Sequence, residues 1–264
     1  MDERGYVYIR IHPNDMPFRE VERVLYGKPE PIKSQLNTTY ATLLNLYRDL
    51  GRKLLDIYPR TFHYFQSTYH GREEGFKLIE NKLSLLYEIG CLDDKTLTLK
   101  GEFAASLFGF ELILSEMHND GMLDSLDEVR LNVLLSGLVF EPRKNDHLDR
   151  LSSKNEGVLR ESERYFRNIH KKEFKYKIHP TTKPPFFHQA TVVEVWTKGE
   201  EFDKLFRFTH SDEGELVRHF RMIIQLLKDL IHAPHTSKRL HETARHALRL
   251  INRDVVDAER QLRV

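Results

Sequence analysis

Arg218, Arg221, Gln225, Lys228 and His232 follow one another at steps of three or four residues. At about 100° per residue on an α-helix, that spacing gathers them into one arc of roughly 80°. Glu215 and Asp229 are read as pointing away from it, so no acid interrupts the arc. A cationic stripe of this kind can follow a phosphodiester backbone, with guanidinium and ammonium groups facing phosphates and Gln225 supplying a neutral hydrogen bond. The blander reading is a solvated helix face, because amphipathic helices routinely carry Lys and Arg. These five residues are the candidate nucleic-acid contacts, and no residue is assigned a catalytic or metal-binding role.

A second basic stretch runs from Arg150 to Lys183, where Lys171, Lys172, Lys175 and Lys177 interleave with Phe174 and Tyr176. Cations with aromatics between them suit single strands, whose bases stack while their phosphates pair. A flexible solvated connector accounts for the same composition. The 14 histidines do not assemble a metal site on spacing. His232 with His235 and His241 with His246 are the close pairs of the C-terminal half, and neither lies near a carboxylate cluster of ligand periodicity. Asp93 and Asp94 sit where a hairpin should turn, a place for backbone hydrogen bonding rather than acid–base chemistry. Trp196 reads as a core anchor and Cys91 as a small buried residue with no base beside it.

The rest of the sequence narrows the function by exclusion. It contains no GxxxxGK[ST] phosphate loop, GxGxxG, HExxH or GxSxG. Lys and Arg total 41 against 40 Asp and Glu, a net charge of +1, so a nucleic-acid contact has to come from a local patch. The lone Cys91 rules out an intramolecular disulfide and suits a reducing, cytoplasmic compartment. No signal pattern or membrane-spanning apolar run is visible, so no membrane partner is expected. The length of 264 residues, 40% of them hydrophobic, suits two domains with real cores.

The elements that must position these residues are mostly helices. Gly5 to His12 alternates like a strand and lacks an evident partner, which points to a strand left over from an upstream sheet. Helical periodicity then covers Phe18–Tyr26, Leu36–Leu50, with Asn37 or Thr38 as cap, and Phe76–Ile89, stopped by Gly90. Leu92–Leu99 reads as a short hairpin, the wing of a winged-helix domain, packed on the helix from Phe76, and Lys100-Gly101 opens the next helix. Further helices are expected over Glu111–Asn119, Leu126–Phe140, Gly157–Phe174, Phe187–Thr197, Glu213–Ile231 and Ser237–Ile251, with a last turn from Val255. On the helix from Glu213, the expected core arc holds Leu216, Val217, Phe220, Ile223, Ile224, Leu227 and Ile231.

In order along the chain, these segments resemble the C-terminal region, called DSHCT, of the superkiller-type, exosome-associated DExH RNA helicases. Gly27 to Gln35 is close to the family's GKPEPLKSQF, and Tyr40 with Leu43 to Leu46 to its YNMILNL. Thr96 to Gly101 matches the wing's VTLKG, and Leu134 to Glu141 matches ALLSAFVFEE. Val195 to Gly199, Thr209, Glu213-Gly214, Arg218 and Asn252 to Val256 follow in the family's order. The resemblance implies a mainly α chain: a terminal strand of a RecA-like motor domain (residues 1–15), a winged-helix domain (16–108) and a DSHCT-like helical bundle (109–264). It implies that the helix from Glu213 is the ratchet helix that touches unwound RNA. It also implies that the parent protein uses ATP and Mg, that RecA-like motor domains act in cis, and that this chain holds no cofactor itself.

Three departures qualify that likeness. The Walker A loop, DExH box and arginine-finger motif are missing, so the chain looks like an RNA-guiding piece of a helicase, not catalytic alone. The family's RLEE on the ratchet helix is replaced by Met222-Ile223-Ile224-Gln225. Between Gln66 and Phe76 only a short polar link stands where exosome-associated members carry a long arch, which suggests an archless relative. The competing reading is a free-standing winged-helix DNA-binding regulator with a helical dimerisation domain; a pure protein-docking scaffold is a third.

Overall fold

A computed structural model describes residues 10, 17–28, 32, 34, 38–143 and 151–257. The chain divides into two compact units, Met1–Leu36 and Asn37–Val264. In the first, α1 (Phe18–Tyr26) follows Pro17 and leaves Phe18 and Tyr26 exposed. The strand expected over Gly5–His12 lies outside the described residues, apart from Arg10. Among the described residues no strand is present, and the chain is mainly α as expected.

The second unit begins with α2 (Tyr40–Leu50), which starts later than its periodicity suggests because Thr39, rather than Asn37 or Thr38, accepts from the Thr42 N–H. Two short helices, α3 (Leu54–Ile57) and α4 (Phe62–Gln66), lead to α5 (Tyr69–Glu88). The expected polar link between Gln66 and Phe76 is therefore largely helix. Thr68 caps it through the Gly71 N–H, and its polar first two turns carry no apolar period by which the start could be read. Its end is a Schellman motif: Gly90, at φ +73°, donates to Tyr87, and Cys91 donates to Leu86.

The expected hairpin over Leu92–Leu99 contracts to one antiparallel bridge between Leu92 and Leu97. Asp93 Oδ1 accepts from the N–H groups of Lys95 and Thr96 and tightens the turn, as its position suggested. Thr98 then caps α6 (Leu99–Ala105), so Leu99 is already helical and no second strand can extend. Leu92 and Leu97 are buried, but a two-stranded wing is not formed. Gly101 is required here, since a Cβ would fall 1.9 Å from the Cys91 carbonyl oxygen.

The remaining helices are α7 (Glu111–Asn119), α8 (Glu128–Val139), α9 (Ser153–Lys175), α10 (Ala190–Thr197), α11 (Glu213–His232) and α12 (Lys238–Ile251), followed by a 3-10 turn at Asp254–Val256. Helix α8 is apolar on nearly every side and buried from Leu131 to Val139. That makes it the centre of the bundle, with α9, α10, α11 and α12 packed around it. Its Gly137 lets the Phe187 ring approach to 2.7 Å from where a Cβ would sit. Trp196 is fully buried, stacks on Phe220 at 5.4 Å and donates its indole N–H to the Ile251 carbonyl, so the core-anchor reading holds.

Buried polar groups join the helices of this unit. Glu173, on α9, accepts from Tyr40 on α2 and from the backbone and side chain of Thr182. Lys82, on α5, donates to the Thr38 carbonyl and lies 4.8 Å from the centre of the Tyr40 ring. Glu111 accepts from the Ala41 N–H, and burial pushes its carboxyl pKa up.

Candidate nucleic-acid interface

Helix α11 positions all five predicted contacts. Asp212 caps it through the Glu215 N–H at 2.8 Å. Its core face is not the predicted arc: Val217 and Ile231 are only half-buried, whereas His219, Leu226 and Leu230 are buried beside Leu216, Phe220, Ile223, Ile224 and Leu227. Contacts with both α8 and α12 bury a wider face than a single-sided helix would. The signal was present as His219, Ile223, Leu226 and Leu230, which step by four and three.

Arg218, Arg221, Gln225, Lys228 and His232 are all exposed. The structure divides them. Arg218, Arg221 and Gln225 line one surface groove of about 710 Å³, together with Glu213, Gly214, Val217, Met222 and Val255, so one carboxylate shares the groove with the two guanidiniums. Lys228 and His232 are not among its lining residues, and His232 Nδ1 lies 2.7 Å from the Lys228 carbonyl oxygen, where it can close the last helical turn. Asp229 does not point away, contrary to expectation. Four residues on from Gln225, it accepts that side chain's amide N–H at 2.8 Å, so an acid borders the stripe. The Arg221 Nε lies 3.4 Å from the Val256 carbonyl oxygen, which ties this side chain to the C-terminal turn.

A second pocket of about 470 Å³ lies beside Arg218 and Met222, lined also by Phe140, Glu141, Arg143, Gln189, Ser211, Glu215 and His219. It was not legible in the sequence, because its walls come from the end of α8, from α11 and from the segments holding residues 140–143, 189 and 211. Arg143 pairs with Glu215, and Lys183 with Glu141. The Lys183 hydrogen bond and charge hold the Glu141 carboxyl below its usual range, with a smaller contribution from Arg218. His219 is buried against Phe140 and its Nε2 sits 2.8 Å from Ser136 Oγ; burial pushes its pKa down to about 4, so the ring is neutral at pH 7.

The basic stretch after Arg150 is not a flexible connector over 153–175, where it forms α9. Lys175 and Tyr176 both engage Glu88, which leaves them committed to an intramolecular contact, although Phe174 stays exposed. Cys91 is buried, and burial pushes its thiol up to about 11, which makes it a poor nucleophile. Among the described residues, no group of three or more His, Cys, Asp and Glu could hold a metal, and no helix is long and apolar enough to cross a membrane.

Residues 94–259 match the family model of the DSHCT (NUC185) domain, a stretch that includes α6 to α12 and the whole of the groove. The chain is 27% identical over 262 residues to the Caenorhabditis elegans protein "mRNA transport homolog 4", covering 92% of this chain and 25% of that one. It is 27% identical over 170 residues to "ATP-dependent RNA helicase mtr4" of Schizosaccharomyces pombe and 28% over 167 residues to "Exosome RNA helicase MTR4" of Homo sapiens. These alignments take in 62% and 61% of this chain, and it spans about a quarter or less of each relative's length. With more than half its residues inside that family match, the chain belongs to the DSHCT family, the C-terminal region of exosome-associated RNA helicases that its motifs resemble.

Proposed function

We propose that this chain is the RNA-binding and RNA-guiding C-terminal module of an ATP-dependent DExH RNA helicase. The observation that carries the reading is the groove on α11, where Arg218 and Arg221 are exposed side by side within a DSHCT domain. Two cations one turn apart face successive phosphates of a strand laid along the helix, while Met222 and Val217 offer apolar surface to its sugars and bases. The module brings no ATPase chemistry of its own. ATP and Mg belong to RecA-like motor domains acting in cis, and the proposed setting is the cytoplasm.

What favours the helicase module over a winged-helix DNA regulator is the DSHCT match over residues 94–259. The test is equilibrium binding of the purified chain to a labelled single-stranded RNA and to a blunt duplex of equal length at equal salt. The helicase-module reading expects the single strand to bind more tightly, because stacking needs unpaired bases. Tighter binding to a palindromic DNA duplex would overturn it.

A further inference from the structure

The pocket behind Arg218 differs in chemistry from the groove in front of it. Its four charged lining residues, Glu141, Glu215, Arg143 and Arg218, cancel, so a phosphate entering it would meet two carboxylates as well as two guanidiniums. A neutral heterocycle meets no such conflict. Phe140 supplies an aromatic wall, held by His188 stacked at 5.3 Å and by His219 edge-on at 5.7 Å. The volume of about 470 Å³ is in the range of small-molecule sites and takes a single base readily. Arg218 lines both the groove and the pocket, so a strand whose phosphates follow Arg218 and Arg221 runs past the pocket mouth.

We propose that this pocket receives one unpaired nucleobase of the bound strand and favours a base bearing an exocyclic amino group over uracil. The inference rests on the nucleic-acid reading given above and deepens it. Glu141 and Glu215 use Oε1 for Lys183 and Arg143, and each keeps Oε2 without a donor among the described residues. An ionised carboxylate only accepts hydrogen bonds. Cytosine offers its N4 amino group as a donor where uracil presents a carbonyl oxygen, which a carboxylate repels. The two pyrimidines are otherwise nearly the same in size and shape, so they isolate this one contact.

The experiment measures binding of the whole chain to labelled ten-nucleotide oligocytidylate and oligouridylate in one buffer, for the wild type, Arg218→Ala, Glu141→Gln and the double variant Glu141→Gln with Glu215→Gln. The wild type should bind oligocytidylate at least about fivefold more tightly. The double variant should bring that ratio below about twofold, with Glu141→Gln alone falling between. Glu242→Gln, on α12 outside the pocket, controls for lost negative charge and should keep the wild-type ratio. Thermal unfolding of each variant reports that the fold is retained. Equal wild-type affinity for the two strands, or a ratio that survives in a folded double variant, overturns the pocket while Arg218→Ala still weakens both strands and so sustains the underlying reading. Failure of the wild type to bind either strand overturns both.

Discussion

His219 combines burial, neutrality and a hydrogen bond in one side chain. Its Nε2 faces Ser136 Oγ at 2.8 Å and its pKa falls from 6.5 to about 4 because burial penalises the charged ring. The unfolded chain therefore binds more protons than the folded one between those values. Stability is fully present above about pH 6.5 and declines as pH falls toward 4, by on the order of 3 kcal/mol across the window. His118, also depressed by burial, acts with the same sign, whereas Glu111, raised by burial, acts with the opposite one. Comparison with His219→Gln, which retains a hydrogen-bonding group for Ser136, isolates the single residue. In urea denaturation the wild type should lose about 2 to 3 kcal/mol more than the variant between pH 7.5 and 4.5; parallel pH profiles would exclude the effect. Arg218→Ala should change stability by no more than about 0.5 kcal/mol, because that side chain is exposed. Arg221→Ala should cost about 1 kcal/mol, since its Nε reaches the Val256 carbonyl.

At the scale of elements, α11 depends on its cap and on one aromatic stack. Asp212→Ala should destabilise the bundle by about 1 kcal/mol through the lost bond to the Glu215 N–H. Phe220→Ala should cost about 3 to 5 kcal/mol, because the ring is fully buried against Trp196. Chemical denaturation measures both, and a Phe220→Ala loss below about 1 kcal/mol would mean the stack contributes little. Much of this was legible in the sequence. The bounds of α1 and α7 and the start of α11 agree with the apolar periodicity, and Asp212 caps the last of these. Elements fixed by polar residues were harder to place: the start of α5 rests on Thr68, and the wing gives way to a turn closed by Asp93 and a helix capped by Thr98. The exposed basic stripe was legible from spacing alone. Which of its members share a groove was not, because that depends on the turn carrying Val255 and Val256 folding back against α11.

At the scale of the whole molecule, the bundle packs α8 and α12 against α11, and Arg253 lies over the Trp196 ring at 3.4 Å. The isolated chain should show no ATP turnover above buffer background, since it carries neither a phosphate loop nor a metal-holding acid of the DExH type. The central claim is that Arg218 and Arg221 each neutralise a phosphate of a single strand. The most direct test is the salt dependence of single-stranded RNA binding by the wild type and the folded Arg218→Ala, Arg221→Ala double variant. The account predicts weaker binding and a slope of log K against log salt lowered by about 1.4 in magnitude. Unchanged affinity with an unchanged slope would contradict it and leave the stripe as a solvated helix face.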